Sequence, residues 1–136
     1  AMRGAFQNVR RVFGPVASNV KRFEPGADVA PGVASMAAFG HSPGHTVFVV
    51  NSGNAKLTYM ADVTNHPALF VRNPDWSAIF DMDADGARAT RRRLLDMAAS
   101  EKTRVHFYHA PFPSNGFIAK DGNGFQLVPA QWTPSL

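Results

Sequence analysis

The sequence predicts an α/β fold with helices and strands in layers. Three observations carry this. Two turn-rich tetrads, Asn51-Ser52-Gly53-Asn54 and Asp121-Gly122-Asn123-Gly124, each stand between β-prone apolar runs and read as hairpin turns. A stretch over about residues 84–100 carries apolar residues at helical spacing. The resulting order, roughly α, β, β, β, α, β, β, β, sets one long helix between two groups of strands.

Residues 5–23 place Phe6, Val9, Val12, Phe13, Val16, Val20 and Phe23 at steps mostly of three and four. That spacing predicts a helix, split or kinked at Gly14-Pro15. Glu24-Pro25-Gly26 closes it, so residues 1–26 form a helical lead-in to a body over 27–136, the whole chain being one domain. Residues 27–32 read as a turn and Val33 to Phe39 as a strand. His45 to Val50, β-branched and aromatic after Pro43-Gly44, is a second strand, and Lys56 to Ala61 its returning partner, with Asp62 at the end. His66 to Phe70 reads as a short helix and Asn73 to Trp76 as a turn. Asp83 is suited to cap the long helix. Its stripe is Ala87, Leu94, Leu95, Met97 and Ala98, with Arg88, Arg91 and Arg92 expected to face water. Arg104 to Tyr108 reads as a buried strand, and Phe117 to Lys120 with Phe125 to Val128 as the last hairpin.

The absence of cysteine excludes disulfides and thiolate metal sites, so any metal must be held by imidazole and carboxylate. Fourteen basic against ten acidic residues give a net charge of +4, too modest and too scattered to support a nucleic-acid surface. Arg91-Arg92-Arg93 reads as a solvated helix face. No apolar run approaches the roughly 18 residues of a membrane span, and no leader-like segment opens the chain, so a cytoplasmic location is expected. Ala1 before Met2 resembles a cloning remnant, which suggests that the chain is part of something longer.

The chemistry-bearing residues are few. His45 follows a tight Pro-Gly turn, while Asp62 and His109 each end an apolar run. Residues at strand ends converge even when distant in sequence, and neutral imidazole with carboxylate suits zinc, and also iron or manganese. Spacing alone equally allows a capping or hydrogen-bonded His45 and an Asp62 that merely ends a strand. His41 reads as a turn residue or a support behind a ligand, and His66 as a helix-start or pocket residue. His106 reads as structural, and Trp76 and Trp132 as packing residues, Trp76 with a pocket role as the alternative.

Ser42-Pro43-Gly44-His45-Thr46 resembles the third histidine motif of metallo-β-lactamase-fold hydrolases. Asp62 is similar to their bridging aspartate, with Ala61 where that family usually has glycine, and His109 to their final metal-binding histidine. The stretch from Asp75-Trp76 to Leu94-Leu95-Asp96 resembles a subgroup with lactonase-like and organophosphate-hydrolase-like members. The similarity runs from about residue 23 to 133 and covers only the C-terminal half of that fold, because the family's His-x-His-x-Asp-His motif is missing.

The resemblance implies half of an αββα sandwich: one mixed sheet with helices on one face. It implies a parent enzyme with two metal ions, where hydroxide held between them attacks an ester, lactone, β-lactam or phosphotriester. His45, Asp62 and His109 would be its ligands in this chain, with binding weak or absent and the isolated chain inactive. The other sheet face, expected to carry Val47, Val49, Leu57 or their neighbours, would be open. That implies a homodimer or pairing with a complementary N-terminal half, with a small-molecule substrate only in the complete fold. The alternative is a non-enzymatic half-fold protein that self-associates or binds a partner through its sheet face.

Overall fold

The computed structural model describes residues 2–132, so the first residue and the last four of the expected 1–136 domain, and the end of the 23–133 similarity, lie outside it. Seven strands form one mixed sheet in the order β1-β2-β3-β4-β5-β6-β7: Asp28–Ala30, Val33–Ala37, Thr46–Ser52, Ala55–Tyr59, Arg104–His106, Asn115–Asp121 and Gly124–Pro129. Neighbours are antiparallel except β4 and β5, which run parallel across a long connection holding α2 (Pro67–Phe70) and α3 (Ala84–Glu101). A parallel pair needs such a crossover, whereas tight turns suffice on either side of it. One mixed sheet with helices on one face is the half-sandwich that the resemblance implies.

The register explains the two faces of the sheet. One row across it is Ala34, Val49, Thr58, Val105 and Gly116. The adjacent row, on the opposite face, is Val33, Val50, Leu57, Arg104, Phe117 and Val128. Thr58 and Val105 are fully buried, while Phe117 and Val128 remain 40% and 45% exposed. The covered face packs under α3, whose Leu94, Leu95 and Ala98 join Val47, Met60, Val105, Phe107 and Ile118 in the core. Each such Leu or Val contributes about 1.5–3 kcal/mol through burial.

Val47 and Val49 therefore lie in the core, not on the open face where the sequence reading put them. The side chains alternate by one residue, so Phe48 and Val50 share the open face with Leu57 and Tyr59.

Other expectations shift locally. α1 spans Met2–Phe13 and a 3-10 turn follows over Gly14–Asn19, but the helical lead-in ends there, because Val20 is already extended. Pro15 sets that change: it has no N–H to donate and crowds the preceding turn. Phe6, Val9, Val12 and Phe13 line one side of α1 and all remain about half exposed. The expected turn at 27–32 contains the short edge strand β1, folded back on β2 at Gly32, whose φ is +75°. Asp83 caps α3 as predicted, its side chain accepting the Gly86 N–H. Arg91, expected in water, is 1% exposed.

Candidate metal centre

The turn between β2 and β3 carries two histidines and is tied down at both ends. The Ala38 N–H donates to the His45 carbonyl at 2.9 Å, and the Asp83 N–H donates to the Gly40 carbonyl at 2.9 Å. At Gly40, with φ +127°, a Cβ would fall 2.1 Å from the Ala87 backbone nitrogen, so only glycine lets the turn lie against the start of α3.

His45 is buried. Its Nδ1 lies 2.8 Å from the Ala38 carbonyl oxygen, and its Nε2 accepts the Asp62 backbone N–H at 3.1 Å. A carbonyl only accepts, so Nδ1 carries the proton and Nε2 the lone pair. Burial pushes this imidazole's pKa down, against the opposing pull of the Ala38 bond. Both ring nitrogens are thus occupied by backbone.

His41 differs. Its Nδ1 meets the Asp81 carboxylate at 3.1 Å, while its Nε2 makes no hydrogen bond among the described residues. Its ring lies edge-on to that of His45, 5.4 Å between centroids. A carboxylate behind one imidazole nitrogen, with the other nitrogen free, is the usual arrangement for a metal-ligating histidine.

Asp62 sits in a 3-10 turn, Ala61–Val63, just beyond β4 rather than at its end. Its Oδ1 lies 2.7 Å from His109 Nε2, which follows β5. Met60 N–H donates to the His106 carbonyl at 2.8 Å, extending the parallel pairing to the foot of both residues. Ala61 has φ +46°, a left-handed conformation that favours glycine. Nearby, burial raises the pKa of the Tyr59 phenol, and Asp62 and Tyr108 add to that.

Asp81 and Arg91, neither of them marked as a site residue by the sequence pattern, support this site from behind. Asp81 is nearly inaccessible and accepts from the Ala78 N–H at 3.1 Å, with Arg91 Nη2 at 3.5 Å. Arg91 also donates to the carbonyls of Val63 (2.7 Å), Pro74 (2.9 Å) and Trp76 (2.5 Å), and its guanidinium lies over the Phe70 ring. It is not part of a solvated face. Four residues after Ala87 and three before Leu94, it occupies the middle of the helix's apolar stripe, and that spacing was a readable signal. Arg92 does stay at the surface, paired with Asp75. Asp81 gives no such signal, since its partner His41 is 40 residues away.

Two other named residues stand apart. His66 is exposed before α2, and Trp76 is 52% exposed, serving the site only through its backbone carbonyl on Arg91. Among the described residues, no group of three or more His, Cys, Asp or Glu is arranged to hold a metal ion. A groove of about 420 Å³ lined by Val71, Pro111, Phe112, Phe125 and Leu127 includes none of the candidate donors. The donor chemistry fits a zinc-type ion, but these side chains supply only part of a coordination shell.

No family model and no curated protein matches the chain. Solved structures do. It is similar to the dizinc quorum-quenching lactonase AidC, at 32% identity and a TM-score of 0.85, over 96% of this chain and 43% of that one. It is similar to AbOPH, a hydrolase of the beta lactamase superfamily, at 21% identity and a TM-score of 0.89, over 96% and 45%. A probable metal-dependent hydrolase from Staphylococcus aureus matches at 23% identity and a TM-score of 0.64, over 85% and 42%. The chain spans less than half the length of each.

Proposed function

We propose, on the premise that this chain carries the C-terminal half of the metallo-β-lactamase superfamily fold, that it is the C-terminal portion of a metal-dependent hydrolase. The parent would act on an ester, lactone, β-lactam or phosphotriester in a cytoplasmic setting. The contact between the Asp62 carboxylate and His109 Nε2 carries this reading: it joins, at one point, residues from the segments that follow two separate strands. Asp62 and His109 are the proposed donors. His41 is preferred to His45 as the third, because its Nε2 is free while both nitrogens of His45 are spent.

Zinc is the proposed ion, with iron or manganese suited to the same donors. When bound, it would polarise a carbonyl or phosphoryl oxygen and activate water. The chain's own residues do the positioning. Asp81 turns the free nitrogen of His41 outward, and the 3-10 turn aims the Asp62 carboxylate at His109. The remaining donors would come from a complementary N-terminal half seated on the open sheet face.

The test is complementation. The chain is mixed with a separately produced N-terminal segment containing a His-x-His-x-Asp-His motif, and zinc content and lactone opening are measured. Little metal and no turnover are expected from the chain alone, and both should appear with the segment. Failure of every such pairing to gain metal would sink the proposal. The open apolar face favours one second reading, a non-enzymatic protein that forms a homodimer through it. A concentration-dependent dimer by sedimentation, with no metal uptake in any mixture, would select that reading.

A further inference from the structure

We propose that His45 is a positioning residue, a clasp between two backbone segments, and not a metal donor. This role rests on the metal reading above for its purpose, but its geometry stands alone. The Ala38 carbonyl lies one residue beyond β2 and the Asp62 N–H belongs to the middle residue of the 3-10 turn, and neither is satisfied by its own element. Buried backbone groups need partners. One imidazole supplies both, donating from Nδ1 and accepting at Nε2, across separations of 7 and 17 residues.

No other single protonation state does this. With Nε2 protonated, the Asp62 N–H loses its acceptor; with Nδ1 bare, the Ala38 carbonyl loses its donor. The Asp62 backbone is thereby fixed to the same turn that carries His41, and its side chain is left to meet His109. Acting as a donor to a metal would require His45 to surrender the Asp62 N–H and release the turn that aims the carboxylate.

Nuclear magnetic resonance on the metal-free chain tests the clasp. Long-range proton–nitrogen spectra should show His45 as the single Nδ1-protonated tautomer. The Asp62 amide should exchange about tenfold more slowly than in His45→Ala, roughly one net hydrogen bond. His45→Gln, which retains a donor and an acceptor, should fold and keep at least part of that protection even if the alanine variant does not fold. Val71→Ala, a core truncation elsewhere, should leave the Asp62 amide shift in place, separating positioning from general destabilisation. A mixed or reversed tautomer, or an Asp62 amide as labile in the wild type and His45→Gln as in His45→Ala, overturns the proposal.

Zinc chloride added to the wild-type chain then separates the two readings. Shifts at His41 and His109 with His45 unmoved support both. Movement of His45 Nε2 to a metal-bound position with loss of Asp62 protection overturns the clasp. No response from any histidine leaves His45 bonded as proposed and counts against the metal reading alone.

Discussion

The two faces of the sheet are made from the same strands and nearly the same residue types, yet only one is finished. On the covered face, Val47, Val105 and Ile118 lie under Leu94 and Leu95 of α3. On the open face, Phe48, Val50, Leu57 and Tyr59 are only half-buried, screened in part by a Phe23 ring 6.1 Å from Phe48 and a stacked Tyr59–His106 pair. Apolar patterning says that a face needs cover. It does not say that the cover lies in the same chain. The solved structures that share this fold are more than twice as long as this chain.

The largest way to break the comparison is on the covered side. Arg91→Ala should cost about 3–5 kcal/mol, because it leaves Asp81 as an uncompensated buried charge and strips three carbonyls of their donor. Urea denaturation would measure this, with hydrogen exchange rising across residues 74–81. Next, Leu95→Ala should cost about 2–5 kcal/mol by opening a cavity in the core. On the open face, Val128→Thr should change stability by no more than about 0.5 kcal/mol at dilute concentration. A cost comparable to Leu95→Ala would mean that the open face is covered in solution, and sedimentation would then show association.

Ala61→Gly should stabilise by about 0.5–1 kcal/mol, by relieving a left-handed backbone at φ +46°. The smallest effect is electrostatic. The Lys56 bond holds the Glu101 carboxyl below its ordinary 4.5. Its folded pKa is depressed, so the stabilisation is present above about pH 4.5 and is lost as pH falls through the folded value. Lys56→Gln should remove this acid-side dependence at a cost under about 1 kcal/mol, since both groups are largely solvated. Denaturation midpoints across that range would show it.

The hairpins and α3 were legible because turn chemistry and capping act locally: Asp121-Gly122-Asn123-Gly124 and Asp83 need no tertiary context. The covered and open faces were not. Val47-Phe48-Val49-Val50 is apolar throughout, so alternation cannot say which side is buried; the pairing of Val50 with Leu57 sets which residues share a face, and the packing of α3 against Val47 sets which face is covered. β1 was hidden because Asp28 and the adjacent Pro31-Gly32 resemble turn residues, although the segment pairs at the sheet edge. At the candidate site, motif position drew attention to His45. In the fold both His45 nitrogens meet backbone while Nε2 of His41 is free among the described residues, and which ring nitrogen is free is a tertiary property.

The β4–β5 seam has a consequence for the order of assembly. It joins a meander over Asp28–Tyr59 to one over Arg104–Pro129 through only three paired residues on each side, 47 positions apart in sequence. Local hairpins form early, whereas a long-range parallel pairing must first overcome a large loop-closure entropy. Asp62 follows the last strand of the first meander and His109 the first strand of the second, so their meeting depends on that closure. The candidate centre therefore reports completion of folding: a chain with both hairpins formed but the seam open would have native-like strands and no Asp62–His109 pair.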